Sequence, residues 1–267
     1  MRAGRAGAIA LRQFYLVRGS FSRQFPLFVW VAVDMVLWGF ITRYLNAVAA
    51  AGFDFVPVLL GAVLLWDFFG RVMHGVTTAF LEDVWSRNFL NLFATPLSIS
   101  EYLAGLVFSS IATSAVGLAV MLGVAAGVFG LSFAPYGLLV FPSLLVLFLF
   151  GIALGIFGSA LVLRLGPASE WFIWPIPGLL SPFAGVFYPV ATLPGWMQLV
   201  SRLLPPSYVF ESLRAVMAGR PVPAAALLWG GALSVLCIGL ACWFFGYIYR
   251  RAVATGLIAR YAAESVT

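Results

Sequence analysis

The run YGLLVFPSLLVLFLFGIALGIFGSALVL, residues 136–163, contains no charged side chain. It exceeds the roughly 20 apolar residues a helix needs to cross a bilayer core. In hydrocarbon, backbone N–H and C=O groups must find partners within the protein, so an isolated apolar run of this length reads as a helix. Similar runs lie on both sides of it: 26–44, 55–80 and 103–129 before it, 171–188 and 224–249 after it. The pattern predicts an all-α integral membrane protein with six transmembrane helices, forming a single transmembrane domain over residues 1–267.

Composition points the same way. Of 267 residues, 63% are hydrophobic and 9% charged, against about 25% charged in soluble domains. Mean hydropathy is +1.05. No polar stretch is long enough for a separate soluble domain. The net charge is +6, and all 15 basic residues are Arg. In a soluble protein that excess would point to nucleic acid. Here the arginines flank apolar runs and set orientation, so no nucleic-acid partner is expected. Arg2, Arg5, Arg12, Arg18, Arg23, Arg87, Arg164, Arg250, Arg251 and Arg260 fall on one side of the predicted membrane; Arg43, Arg202, Arg214 and Arg220 fall on the other. The positive-inside rule then places both termini in the cytoplasm.

Residues 1–24 carry five Arg and no clean apolar core before a cleavage site, which argues against a signal peptide. Over 5–23 the spacing predicts an amphipathic helix lying in the headgroup plane among membrane lipids. Arg5, Arg12 and Arg23 take one side; Ala10, Phe14, Val17 and Phe21 take the other; Ile9 and Leu16 interrupt the basic side. Cys237 and Cys242, five apart in the last apolar run, read as small buried residues rather than a disulfide or metal pair.

Two connections are longer than a simple bundle needs. In the first, 81–102, Leu81, Val84, Trp85, Asn88 and Leu92 share one side of a short helix. Pro96 ends it, and Ser98 with Glu101 has the capping-box spacing that starts the next helix. A helix held at the surface suits the receipt of force from a cytoplasmic partner; a plain interfacial loop is the alternative. In the second connection, Leu193-Pro194 precedes Trp196, Leu199, Val200, Leu203 and Leu204 at helical spacing. Pro205-Pro206 breaks that helix, and Ser207 is placed to cap a second one carrying Tyr208, Glu211 and Arg214. The pair is predicted to dip into the outer leaflet and return, packed on the bundle. Glu211 and Arg214, three apart, either pair with each other or serve a gate. The run 171–188 contains Pro175, Pro177 and Pro182 and is predicted to be kinked or broken.

Ser181-Pro182-Phe183-Ala184-Gly185-Val186-Phe187-Tyr188-Pro189, then Leu193-Pro194, Gln198, Leu204-Pro205, Tyr208, Glu211 and Arg214, resembles the C-terminal signature of type-2 ABC exporter permeases. Thr95-Pro96-Leu97-Ser98 with Glu101 resembles the segment after that family's coupling helix, with Asn88-Phe89-Leu90 standing where the family often has a Gly-Thr pair. The resemblance covers nearly the whole chain. It implies an interfacial helix within 1–24, a coupling helix within 81–94 and re-entrant external helices within 189–223. It implies a dimer, either of this chain or with a related permease, in a bacterial cytoplasmic membrane. Two cytoplasmic ABC ATPase subunits would bind the ATP and Mg and drive an amphipathic substrate outward: a lipid, a glycolipid or polysaccharide, a peptide or a drug. Glu82, Asp83, Trp85, Arg87 and Phe89 are then candidate ATPase contacts, and Pro194, Tyr208, Glu211 and Arg214 candidate gate residues.

A phosphate-binding loop of the Walker type requires Lys, and this chain has none. No nucleophile elbow or HExxH motif is present, so no catalysis, cofactor or metal is expected in this chain. Inside the spans, Asp67, Arg71 and His74 share a face. An Asp67–Arg71 pair four apart would neutralise both charges; a polar lining is the alternative. A secondary transporter would instead use Asp34, Asp67 and His74 as a proton relay, but no inverted repeat of broken helices accompanies them. A membrane enzyme acting on lipids would need more reactive groups than the chain offers. Asp34 has no partner on its own helix and is predicted to meet Arg71 or a wet cavity. Gly151, Gly155 and Gly158, and Gly123 with Gly127, predict close helix packing within the chain; the seam of a dimer is the alternative. Trp30, Trp38, Trp66, Trp171 and Trp174 read as interface anchors.

Overall fold

A computed structural model describes residues 3–48, 56–86, 88, 91–92, 94–222 and 224–256. Every regular element among them is helical. Helix α1 spans Ala3–Arg18 and α2 spans Phe21–Val48. A π-turn, Val56–Leu60, runs into α3, Gly61–Trp85. Helix α4 spans Ile99–Phe129, and a 3-10 turn at Ala134–Leu139 leads into α5, Val140–Leu165. Four short helices follow: α6 Glu170–Ile173, α7 Ile176–Ala184, α8 Gly195–Arg202 and α9 Pro205–Met217. Helix α10, Ala224–Ala254, completes the described chain.

Five of these stretches are long and apolar enough to cross a membrane: Arg23–Val48, Val56–Trp85, Ile99–Phe129, Ala134–Leu165 and Ala225–Ala254. The predicted fifth span, 171–188, is not a sixth such helix. It is split into the four-residue α6 and the nine-residue α7. Pro175 and Pro177 remove backbone donors where the helices would join, and Pro182 lies within α7.

Helix α3 is the hub, buried through most of its length between α4 and α5. The glycines of α5 make that approach possible. A Cβ on Gly155 would sit 2.8 Å from the Met73 carbonyl oxygen and 2.8 Å from Val76 Cβ. Gly151 and Gly158 meet Val72 and Thr77 in the same way. Hydroxyls stitch the contact where backbones come close: Thr77 Oγ1 donates to the Gly155 carbonyl (3.1 Å) and Ser110 Oγ to the Val72 carbonyl (2.9 Å). The second predicted glycine face behaves differently. Among the described residues Gly123 and Gly127 have no atom within 4 Å of a built Cβ, so they make no close packing contact there.

Aromatic contacts identify the two ends of the bundle. Phe80 of α3 meets Tyr102 near the start of α4 and Phe245 near the end of α10. Those termini and α1 therefore gather at one end, called here the Arg-rich end. At the opposite end Phe129 of α4 packs on Phe40 of α2, Tyr136 donates to the Pro57 carbonyl, and Gly230 of α10 lies under Tyr208. Helices α6 and α7 run along α3, with Trp174 stacked on His74 (4.4 Å) and Pro177 against Gly70; beyond α7, Phe187 stacks on Trp38 (5.4 Å).

Three local expectations change. Residues 81–85 do not begin a separate helix; they are the last turn of α3, because nothing before Ser86 interrupts it. Asn88 accepts a single helical hydrogen bond from Leu92; Arg87, Phe89 and the rest of the expected coupling helix at 90 and 93 lie outside the described residues. Ser207 does not cap α9. The helix starts at Pro205, whose missing N–H costs nothing in a first turn, and the Ser207 hydroxyl donates to the carbonyls of Ser201 and Leu204. Finally, α1 turns its basic side inward: Ile9 and Ala6 pack on Gly105 of α4, while Leu11, Phe14 and Tyr15 face outward.

Gly155→Val should destabilise the chain by about 1–3 kcal/mol, since backbone must move to admit the side chain. Gly123→Val should shift its stability by under about 0.5 kcal/mol. Thermal unfolding of the two variants in detergent measures the contrast.

Candidate functional site

The Arg-rich end is organised around a buried carboxylate. Asp83 in the last turn of α3 is 1% exposed. Arg12 of α1 grips it with two donors, Nη1 to Oδ2 at 3.0 Å and Nη2 to Oδ1 at 2.5 Å. Tyr102 of α4 donates its hydroxyl to Oδ2 at 2.8 Å. One side chain thus ties three helices together, and its hydrogen bond, opposed by burial, holds the Arg12 guanidinium above its ordinary pKa. Two further ion pairs flank it: Arg5 with Glu101 at 3.5 Å and Arg23 with Glu82 at 3.3 Å. Arg5 also donates to the Pro96 carbonyl. The expected capping box is present: Ser98 Oγ accepts from the Glu101 N–H (3.3 Å), and Glu101 accepts from the Ser98 N–H (3.1 Å). Among the predicted ATPase contacts, Asp83 faces inward, Glu82 is half-buried in its ion pair, and Trp85 is half exposed beyond them.

At the opposite end the predicted Glu211–Arg214 pair forms, at 2.5 Å, and it does more than neutralise itself. Glu211 Oε1 also accepts from the Val190 N–H (2.9 Å), while Arg214 donates to the carbonyls of Gly185 and Val186. The pair therefore holds the turn that follows α7. Gly185 caps that helix at φ +64, and a Cβ there would meet Val190 Cγ2 at 2.8 Å. Burial draws Arg214 below its ordinary pKa, opposed by the charge and hydrogen bond of Glu211. Ser201 Oγ donates to the Phe183 carbonyl (2.6 Å) and Tyr208 to the Arg202 carbonyl (2.8 Å), joining α7, α8 and α9. Pro194 is the N-cap of α8. A cavity of about 670 Å³ opens beside this network, lined by Tyr136, Phe187, Pro189, Phe210 and Arg214 among others.

The polar residues within the spans divide between two places. Asp34 of α2 lies close to Asp67 of α3. The expected Asp67–Arg71 ion pair does not form; Asp67 and Asp34 act on Arg71 only through their charge. Arg71 instead lines a second cavity of about 650 Å³ together with His74, Gln13, Ser114, Trp30 and Trp174. Nothing in the local sequence pattern marks Gln13 or Ser114. The interruption of the basic side of α1 by Ile9 and Leu16 was the available sign that this side, Gln13 included, packs against protein.

A family model described as ABC-2 type transporter matches residues 8–218. No curated protein matches the chain.

Arg12→Ala leaves Asp83 buried without its cation. It should cost about 3 kcal/mol, toward the lower end for a broken buried pair because Arg12 is partly exposed. Arg18→Ala, which removes an exposed side chain, should cost under about 0.5 kcal/mol. Thermal stability and the rate of tryptic cleavage within α1 both measure the difference.

Proposed function

The chain belongs to the ABC-2 type transporter family, and on that premise we propose that it is the membrane-spanning subunit of an exporter driven by a separate ABC ATPase. The observation that carries the reading is the reach of the match, which runs from within α1 to the end of α9 and so includes both polar networks. Membership implies an ATPase partner; two such subunits, each supplying ATP and Mg sites, would serve a dimer of this chain or of this chain with a related permease. The absence of Lys supports assigning hydrolysis to that partner.

The concentration of arginines at one end supports placing that end in the cytoplasm, with both termini, in a bacterial inner membrane. Helices α6 and α7 would then form a broken sixth crossing. Glu82, Asp83, Trp85, Arg87 and Phe89 fall where the ATPase would dock. Within that group Asp83 acts as the anchor that keeps α1, α3 and α4 moving together, and the exposed Trp85 offers contact area. At the external end, Pro194, Tyr208, Glu211 and Arg214 would brace the re-entrant helices and the turn beside the outer cavity. An amphipathic cargo moving outward suits apolar walls with polar groups at both ends. The family match sets aside a proton-coupled carrier using Asp34, Asp67 and His74.

Affinity purification of this chain from its native membrane should bring down a stoichiometric ABC ATPase. Hydrolysis by the complex should disappear when the Walker Lys of the partner is replaced. A chain that purifies alone and stable would overturn the proposal.

A further inference from the structure

The cavity nearer the Arg-rich end holds four buried polar atoms with no hydrogen-bond partner: Gln13 Nε2, Arg71 Nε, His74 Nε2 and Ser114 Oγ. Buried polar groups in folded proteins are nearly always satisfied. Four on residues that line one cavity call for a partner that this cavity is placed to admit. Gln13 is 3% exposed and Ser114 2%. The Arg71 guanidinium lies over Gly117 of α4, where a Cβ would stand 3.1 Å from its Cδ and 3.4 Å from its Nε. Helix α4 thus leaves space for the arginine to lie against it.

The chemistry of these atoms is that of an anion site. A guanidinium N–H and an amide N–H only donate, a hydroxyl donates readily, and an imidazole nitrogen does either. Asp34 and Asp67 do not line the cavity; Glu82 does, and its charge is answered by Arg23, which lines the cavity beside it. A phosphoryl group, with several acceptor oxygens and negative charge, matches such a set. The surroundings select a lipid over a soluble ion. Trp30 and Trp174 line the same cavity and are 66% and 52% exposed, an apolar exit suited to acyl or prenyl chains. Along α3, Arg71 lies eleven residues before Glu82, about 16 Å at the helical rise. The donors therefore reach from headgroup level toward the middle of a core about 30 Å thick. A resident boundary lipid keeps its phosphate at the surface, whereas a headgroup in transit does not.

We propose that this cavity binds the exposed phosphoryl headgroup of a membrane amphiphile, held by Gln13, Arg71, His74 and Ser114. The proposal deepens the exporter reading by naming a cargo class, and it rests on that reading only for the movement of the lipid. The binding step is tested with the full chain purified in detergent without its ATPase. Phosphatidic acid and phosphatidylcholine of identical chains are added in equal amounts, and the retained lipid is read by native mass spectrometry. The wild-type chain should retain phosphatidic acid preferentially. Arg71→Gln and Gln13→Leu should each reduce that preference about tenfold, while Arg251→Gln at the surface should leave it unchanged. Excess inorganic phosphate should not displace the lipid. Equal retention of the two lipids by the wild-type chain overturns the proposal whatever the variants do. Displacement by inorganic phosphate assigns the donors to a soluble anion and overturns the lipid reading. Neither result bears on whether an ATPase copurifies, so the two readings fail separately.

Discussion

A carboxylate buried at the end of a membrane helix is tolerated only when its charge is answered in full. Asp83 is answered by two guanidinium donors from α1 and one hydroxyl from α4. That arrangement decides the construction of the whole Arg-rich end. It fixes the rotation of α1, so that Arg5 and Arg12 reach inward and Leu11, Phe14 and Tyr15 are left exposed on its outer side. It sets the start of α4 beside the end of α3, where the Ser98–Glu101 capping box completes the helix terminus. Force applied near Trp85 would be shared by three helices, since none can shift without breaking a charged hydrogen bond.

The opposite end is held by a comparable device with a different purpose. Glu211 and Arg214 of α9 spend their remaining hydrogen-bonding capacity on the backbone of 185–190, a stretch left irregular by prolines and Gly185. Irregular backbone at membrane depth must find partners within the protein. Between the two ends, α3 and α5 lock through glycine contacts, while α2 makes its main helix contact with α4 and leaves a cavity along α3. The described bundle therefore combines a glycine-locked centre with a polar network at each end.

Much of this was legible in the chain. Apolar run length located the five long helices, the Ser-x-x-Glu spacing located the start of α4, and the prolines located the break between α6 and α7 and that between α8 and α9. The pairing of Glu211 with Arg214 followed from their separation on a single helix. What periodicity could not supply was any partnership between helices. Nothing in the spacing of α1 says that its arginines meet Asp83 and Glu101 across some 70 to 96 positions. Asp34 was expected to meet Arg71 or a wet cavity; it acts on Arg71 through its charge and also lies close to Asp67. Gly123 and Gly127 of α4 carry the same spacing as Gly151 and Gly155 of α5, yet among the described residues only the α5 pair has a close neighbour. In each case local pattern gives a face, and only the assembled bundle says what the face touches.

The end built on Asp83 is the one proposed to receive the ATPase. A photocrosslinking residue placed at Trp85, and in a separate variant at Trp196 of α8, tests it in membranes containing both proteins. Both positions are well exposed, at 51% and 63%. The account predicts ATPase crosslinks from position 85 and none from position 196. Crosslinks from 196 with none from 85 would contradict it.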